Sequence, residues 1–223
     1  MVVPIAVRTV VEAWIGRERP EHPGTEWPRA DWIRHFPEHE ARWRALPERL
    51  ARSAVRAECR NADASREETV WAFLVAMAWG HGVNGYGRYR TQRIITINRN
   101  AADALFAVSQ SLRKDGPLSA YRKMANPGEG RLRYLGPAFG TKFLAFCSDA
   151  TRPALILDEV VSSWFLANLQ SRLVHGRWHP SSYEKYLESA SAWASELGVC
   201  ADDVEYCIFA DEYTKRNGSE WGL

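Results

Sequence analysis

Arg131-Leu-Arg-Tyr-Leu-Gly-Pro-Ala-Phe-Gly-Thr-Lys-Phe-Leu-Ala-Phe-Cys147 joins a glycine- and proline-rich turn directly to an apolar segment with helical spacing. The turn predicts a tight hairpin, and the apolar spacing predicts a helix that leaves it at Gly140. Free backbone N–H groups and the positive end of that helix would suit a phosphate. Further along the chain, Asp158 stands before another apolar helical segment and is predicted to cap it.

Lys142 lies close to the predicted start of its helix, where the helix dipole disfavours a cation and favours the neutral amine that a nucleophile needs. An aspartate nearby can accept the proton of the amine or stabilise a cationic transition state. The segment therefore predicts covalent catalysis by Lys142 with the help of Asp158.

Helical spacing also dominates the rest of the chain, which predicts an all-α fold. Ile94–Ile97 has the composition of a strand but is short and isolated, so we expect an extended connection there. The glycines between Gly80 and Gly87 predict a single loop. The predicted helices are Glu67–Trp79, Ala101–Arg113, Phe139–Phe146, Val160–Val174, Tyr183–Leu197 and Val204–Tyr213.

Composition excludes a disordered or fibrous chain, because 46% of the 223 residues are hydrophobic. The formal net charge of +2 conceals a strong asymmetry. Residues 81–152 carry 12 Lys and Arg against 4 Asp and Glu, whereas residues 153–223 carry 5 against 11. This distribution favours a basic central segment that contacts nucleic-acid phosphates.

The longest apolar run, Trp71–Trp79, has 9 residues, about half of the roughly 20 that a membrane-spanning helix requires. The four cysteines form no C-x-x-C pair, which indicates reduced thiols. We therefore expect a soluble cytoplasmic protein without a membrane partner.

The domain organisation is predicted from differences in amino-acid composition along the chain. Residues 1–60 are rich in Trp and Arg and are expected to form an N-terminal helical cap, within which Glu38–Arg60 is a solvated helix. Residues 61–223 are expected to form the main domain.

The hairpin segment resembles the helix-hairpin-helix base-excision DNA glycosylases, and within them the 8-oxoguanine (OGG-like) branch. The branch ends its hairpin in Gly-x-Gly-Thr-Lys, which this chain matches at Gly140, Thr141 and Lys142 but replaces at Ala138. The resemblance implies two helical subdomains with a cleft between them, a nucleophilic Lys142 and an essential Asp158. It also implies action on double-stranded DNA with a modified or damaged base, and we expect the protein to be a monomer.

Some members of the family hold an iron–sulfur cluster on four C-terminal cysteines spaced x6, x2 and x5. Here Cys200 and Cys207 reproduce only the first interval, and Ala210 and Arg216 occupy the remaining places. We therefore expect no cluster, no metal and no other cofactor.

The resemblance also supplies candidate contacts. For the DNA backbone these are Arg131, Arg133, Gly136, Gly140 and Thr141. For the pocket of a flipped base they are His81, Asn84, Tyr86, Arg88 and Phe146, the last because it lies one helical turn from Lys142.

Several functions remain open at this point. The excised base could be 8-oxoguanine, or a hypermodified phage base such as glucosylated hydroxymethylcytosine if the enzyme acts in antiphage defence. The hairpin could instead belong to a non-catalytic DNA-binding module in which Lys142 contacts a phosphate. A third hypothesis is a protein-interaction domain that uses the tryptophan-rich N-terminus as its surface.

Overall fold

The computed structural model describes residues 2–218, which form twelve α-helices, one 3₁₀ helix and a two-stranded antiparallel ribbon. The predicted all-α class is confirmed. The ribbon pairs β1 (Thr25–Glu26) with β2 (Arg49–Leu50), and the 3₁₀ helix spans Pro37–His39. The helices are α1 (Ile5–Gly16), α2 (Arg29–His35), α3 (Glu40–Ala45), α4 (Arg52–Cys59), α5 (Arg66–His81), α6 (Gly85–Ile97), α7 (Ala101–Asp115), α8 (Pro117–Ala125), α9 (Pro137–Cys147), α10 (Glu159–Leu169), α11 (Pro180–Leu197) and α12 (Ala201–Asn217).

Helix α5 is the central element of the core. The hydroxyl of Ser65 caps it by accepting the N–H of Glu68, and every residue from Trp71 to Trp79 is buried. A helix that is apolar on all sides must be surrounded, and α5 packs against α4, α7 and α9. This packing places the C-terminal end of α5 beside the helix that carries Lys142.

Helices α8 and α9 and the hairpin between them form the predicted helix-hairpin-helix unit. Helix α6 holds the hairpin from one side. Asn98 accepts the N–H of Arg133 at 3.0 Å, and Arg90 donates to the carbonyl of Tyr134 at 2.8 Å. Arg93 donates to the Tyr134 hydroxyl at 2.7 Å. Tyr134 has a φ of +69°, so these contacts hold a left-handed turn that a tyrosine rarely adopts.

Two local predictions around α6 were wrong. Ile94–Ile97 is the last turn of α6 and not an extended connection, because Ile94 is buried in the core on one face of the helix. The Gly80–Gly87 loop is only a short turn, since α5 continues to His81 and α6 begins at Gly85. Asn84 caps α6 by accepting the N–H of Tyr86 at 3.0 Å.

The N-terminal segment also differs from its prediction. Residues 38–60 form two short helices and a strand rather than one solvated helix, because Trp43, Leu50 and Val55 are completely buried. The four N-terminal tryptophans, Trp14, Trp27, Trp32 and Trp43, are at most 7% exposed. They therefore cannot provide a tryptophan-rich interaction surface. The hydrophobic core is continuous across residue 60, and the division into two domains there remains a prediction.

Candidate active site

The structure brings Lys142 and Asp158 into direct contact. Lys142 Nζ donates to Asp158 Oδ2 at 2.8 Å, and both side chains are almost completely buried. Helix α9 begins at Pro137, three residues before the predicted start at Gly140. The N–H of Gly140 is therefore already bonded to the Gly136 carbonyl, at 2.9 Å, and Lys142 lies beyond the first turn. Asp158, rather than the helix dipole, is the main electrostatic partner of the lysine.

Asp158 caps helix α10, as predicted, by accepting the N–H of Val161 at 3.2 Å through Oδ1. Burial raises the pKa of Asp158, but the ammonium of Lys142 and the hydrogen bonds from Lys142, Val161 and Val160 outweigh this effect and lower it. The carboxylate is thus held in its anionic form, with one oxygen on the helix and the other on the lysine.

Thr141 has a structural role that the sequence did not suggest. Its hydroxyl donates to the Pro137 carbonyl at 2.9 Å and accepts the N–H of Leu157 at 3.0 Å. The side chain is completely buried, so the predicted contact between Thr141 and a DNA phosphate is not supported. Instead, this bond fixes the segment before Asp158 against α9 and so sets the distance between Asp158 and Lys142.

Lys142 and Asp158 line a cavity of about 550 Å³. Helix α5 and its C-terminal turn form one wall, the β1–β2 ribbon forms a second, and α12 forms a third. The N-terminal 60 residues thus contribute directly to the site. The lining residues are Gly24, Thr25, Glu26, Arg49, Arg52, Trp79, Gly80, His81, Gly82, Val83, Lys142, Ile156, Asp158, Val160, Phe209 and Tyr213.

His81 is the one predicted base-pocket residue that lines this cavity among residues 2–218. Its ring stacks on Phe139 with centroids 4.0 Å apart. On another side it packs against Gly87, where a Cβ would overlap the imidazole. Burial, with smaller contributions from Arg90 and Lys142, lowers the pKa of His81 to about 4. The imidazole is therefore neutral at physiological pH.

The other predicted base-pocket residues lie elsewhere. Phe146 is 2% exposed and packs edge-on against Trp79 in the core, so a stacking role for its ring is not supported. Arg88 pairs with Asp31 at 2.6 Å. Asn84 and Tyr86 are exposed at the start of α6, outside the cavity lining.

Sequence reasoning missed a second buried ion pair in the site. Arg52 lines the cavity and donates to both carboxylate oxygens of Glu205, at 2.8 and 3.0 Å. Burial opposes the charge on Arg52, but the carboxylate of Glu205 raises its pKa above the ordinary value. The two residues are 153 positions apart, and no local pattern distinguishes them from the many other arginines and glutamates.

The hairpin presents a separate, more open cavity of about 560 Å³. Arg131 and Arg133 are exposed on it, and Gly136 and Arg90 also line it. Gly140 is buried, and its lack of a side chain makes room for the Trp178 ring rather than for a phosphate.

The side chains that could bind a metal ion do not cluster in the described part of the chain. Within residues 2–218, no group of three or more His, Cys, Asp or Glu side chains is arranged to hold a metal ion. Cys200 is exposed, and Cys207 is buried. The absence of an iron–sulfur cluster stays a prediction.

Comparison with protein families identifies the chain. Residues 18–209 match the family described as "Putative 8-oxoguanine DNA glycosylase OGG-like protein". The chain belongs to this family. The match spans the β1–β2 ribbon, the hairpin and both members of the Lys142–Asp158 pair.

Membership in the OGG-like family indicates a DNA glycosylase that binds DNA. No curated protein and no solved structure matches the chain significantly. In the part of the chain that the structure describes, no helix is both long and apolar enough to cross a bilayer.

Proposed function

We propose that this OGG-like protein is a DNA glycosylase with β-lyase activity that uses Lys142 as its nucleophile. The contact of 2.8 Å between Lys142 Nζ and Asp158 Oδ2, in the wall of a cavity of about 550 Å³, carries this proposal. A buried amine and a carboxylate in one concave site are the groups that covalent base excision requires.

The first step of the proposed reaction uses this contact. The modified nucleotide is flipped out of the duplex into the cavity, where its C1′ meets Nζ. The ammonium of Lys142 first gives up a proton, and Asp158 Oδ2 is the acceptor that touches it. The free amine attacks C1′, the C1′–N bond breaks, and the base leaves with the bonding electron pair and takes up the proton that Asp158 accepted.

Asp158 has a second role in this step. Its pKa is lowered, so it passes the proton on to the departing base and, as an anion again, stabilises the positive charge that develops on the sugar. The C1′–O4′ bond then breaks, O4′ takes up a proton that the attached amine loses, and a Schiff base forms between Lys142 and C1′. Loss of a C2′ proton and cleavage of the C3′–O bond release the 3′ phosphate, which is the β-lyase step.

The surfaces around the cavity carry groups that can bind DNA. The exposed Arg131 and Arg133 project from the hairpin, and residues 81–152 carry the excess of basic side chains. We propose that these two hairpin arginines contact phosphates on either side of the flipped nucleotide. Asn84 and Tyr86 lie at the start of α6, close to Val83 in the cavity wall, and we propose that they contact the DNA there. His81 offers the flipped base a neutral imidazole in the cavity wall.

Borohydride trapping tests the proposal. Wild type, Lys142→Gln and Lys114→Gln are incubated with duplexes that carry 8-oxoguanine, uracil, glucosylated hydroxymethylcytosine or a preformed abasic site. Lys114 is an exposed lysine in the last turn of α7 and serves as the control. We expect wild type and Lys114→Gln to form a covalent adduct and Lys142→Gln to form none.

The panel also decides the substrate. The base released by wild type distinguishes a repair enzyme for 8-oxoguanine from an antiphage enzyme for hypermodified bases. An adduct that persists in Lys142→Gln would refute the nucleophile. If wild type binds the duplexes but neither traps nor releases any base, the protein is a non-catalytic DNA-binding module.

A further inference from the structure

Gly80 occupies an unusual place in the wall of the active-site cavity. It is the penultimate residue of α5, and its backbone faces the side chain of Lys142 across the gap between α5 and α9. A Cβ at this position would lie 2.8 Å from Cδ of Lys142 and 3.0 Å from Cε1 of Phe139. Real side chains essentially never show a contact as short as 2.8 Å, so either Lys142 or Phe139 would have to move.

A shift of either Lys142 or Phe139 would disturb the site. Nζ of Lys142 is held by Asp158, so a shift at Cδ changes the direction from which the amine enters the cavity. Phe139 is stacked on His81 at 4.0 Å, and its ring lies 5.5 Å from Nζ. The aliphatic part of the lysine therefore runs between the bare backbone of α5 and an aromatic ring that is itself fixed.

The backbone conformation at position 80 does not require a glycine. Its φ is not among the positive values in this chain, unlike that of Gly82 two residues later. Helix propensity favours alanine over glycine within a helix. The space it leaves for Lys142 is thus the feature that distinguishes Gly80 from an alanine.

We propose that Gly80 is a positioning residue for the nucleophile: its missing side chain forms the slot that directs Lys142 Nζ onto Asp158 and the substrate. This inference rests on the proposed function, since it assigns Gly80 a role in aiming the attacking amine. Misplacing a reacting group by about 1 Å can slow a reaction on the order of 100-fold.

The test compares Gly80→Ala with Gly16→Ala on a duplex with a preformed abasic site. Gly16 is the last residue of α1, and a Cβ added there would meet no atom within 4 Å, so it is the matched control. We expect Gly80→Ala to form the borohydride-trapped adduct about 100-fold more slowly than wild type. Its DNA affinity and its melting temperature should not fall, and Gly16→Ala should trap at the wild-type rate.

A double variant separates positioning from packing. Phe139→Leu shortens the opposite wall of the slot, so Gly80→Ala with Phe139→Leu should recover at least tenfold of the lost rate. Trapping by Gly80→Ala at the wild-type rate would overturn the inference. So would a loss of folding that Phe139→Leu does not correct. Failure of the proposed function looks different, because wild type itself would then form no adduct.

Discussion

The buried ion pair between Arg52 and Glu205 should stabilise the fold strongly, and its removal is our most quantitative prediction. The pair joins α4 in the N-terminal segment to α12 near the other end of the chain. Both partners are almost fully buried, at 8% and 1% side-chain exposure, and two hydrogen bonds connect them. We expect Arg52→Met to leave the carboxylate of Glu205 buried without its partner.

The magnitude follows from this burial. Breaking a buried pair by removing one partner costs about 3–5 kcal/mol in the free energy of unfolding. For a chain of this size, each kcal/mol lowers the melting temperature by roughly 2–4 °C. Arg52→Met should therefore melt about 6–20 °C below wild type. Replacing both partners, as in Arg52→Met with Glu205→Met, should restore much of the loss because no unpaired charge remains.

The pH dependence has a definite sign. Burial raises the pKa of Glu205, and removal of Arg52 takes away the attraction that opposes this rise. The folded variant then binds more protons than the unfolded chain at pH values between the two pKa values of this carboxyl group. The free energy of unfolding must therefore decrease as the pH rises. We expect Arg52→Met to be less destabilised at pH 5 than at pH 8.

Urea unfolding at both pH values, followed by circular dichroism, measures these effects. The exposed pair of Arg44 and Glu40 provides the control, since Arg44→Met should cost about 0.5 kcal/mol or less. If the double variant loses as much stability as the sum of the two single variants, the pair is not coupled and the reasoning is refuted. A loss from Arg52→Met as small as that from Arg44→Met would refute it equally.

Two further substitutions test the supports of the site, each by urea unfolding. Gly140→Ala should lower the free energy of unfolding by about 1–3 kcal/mol, because its Cβ would overlap the Trp178 ring. At Gly136 an added Cβ would meet no atom within 4 Å, so Gly136→Ala should unfold like wild type. Equal losses in the two variants would contradict this account. Thr141→Val should lower the free energy of unfolding by about 1–3 kcal/mol, because the buried N–H of Leu157 loses its acceptor. An unchanged free energy of unfolding would show that this hydrogen bond contributes little.

Much of the helical architecture follows from local signals. The apolar spacing of α5, the serine cap at Ser65 and the aspartate cap at Asp158 depend on residues within one or two turns of each other. Short-range signals of this kind are present in any segment that is long and strongly periodic. They also predicted that Lys142 and Asp158 belong to the same site.

The errors have a common cause. Ile94–Ile97 contains β-branched residues, and only the packing of Ile94 into the core decides that the segment is helical. The arginines and glutamates of residues 38–60 suggest solvation, yet Trp43 at 0% exposure makes this region part of the core. The composition of a segment indicates which secondary structure and which degree of exposure it prefers, whereas its tertiary contacts determine the ones it adopts.

The helical class, the hairpin before α9 and the two residues of the proposed chemistry could all be predicted from the sequence, because each depends on neighbours along the chain. The walls of the cavity could not, because they form only through tertiary packing. Arg52 reaches Glu205 across 153 residues, and Gly80 faces Lys142 across 62 positions of the chain. Such distant pairs leave no periodic trace in the sequence, since they form only when the helices that carry them have packed around one core.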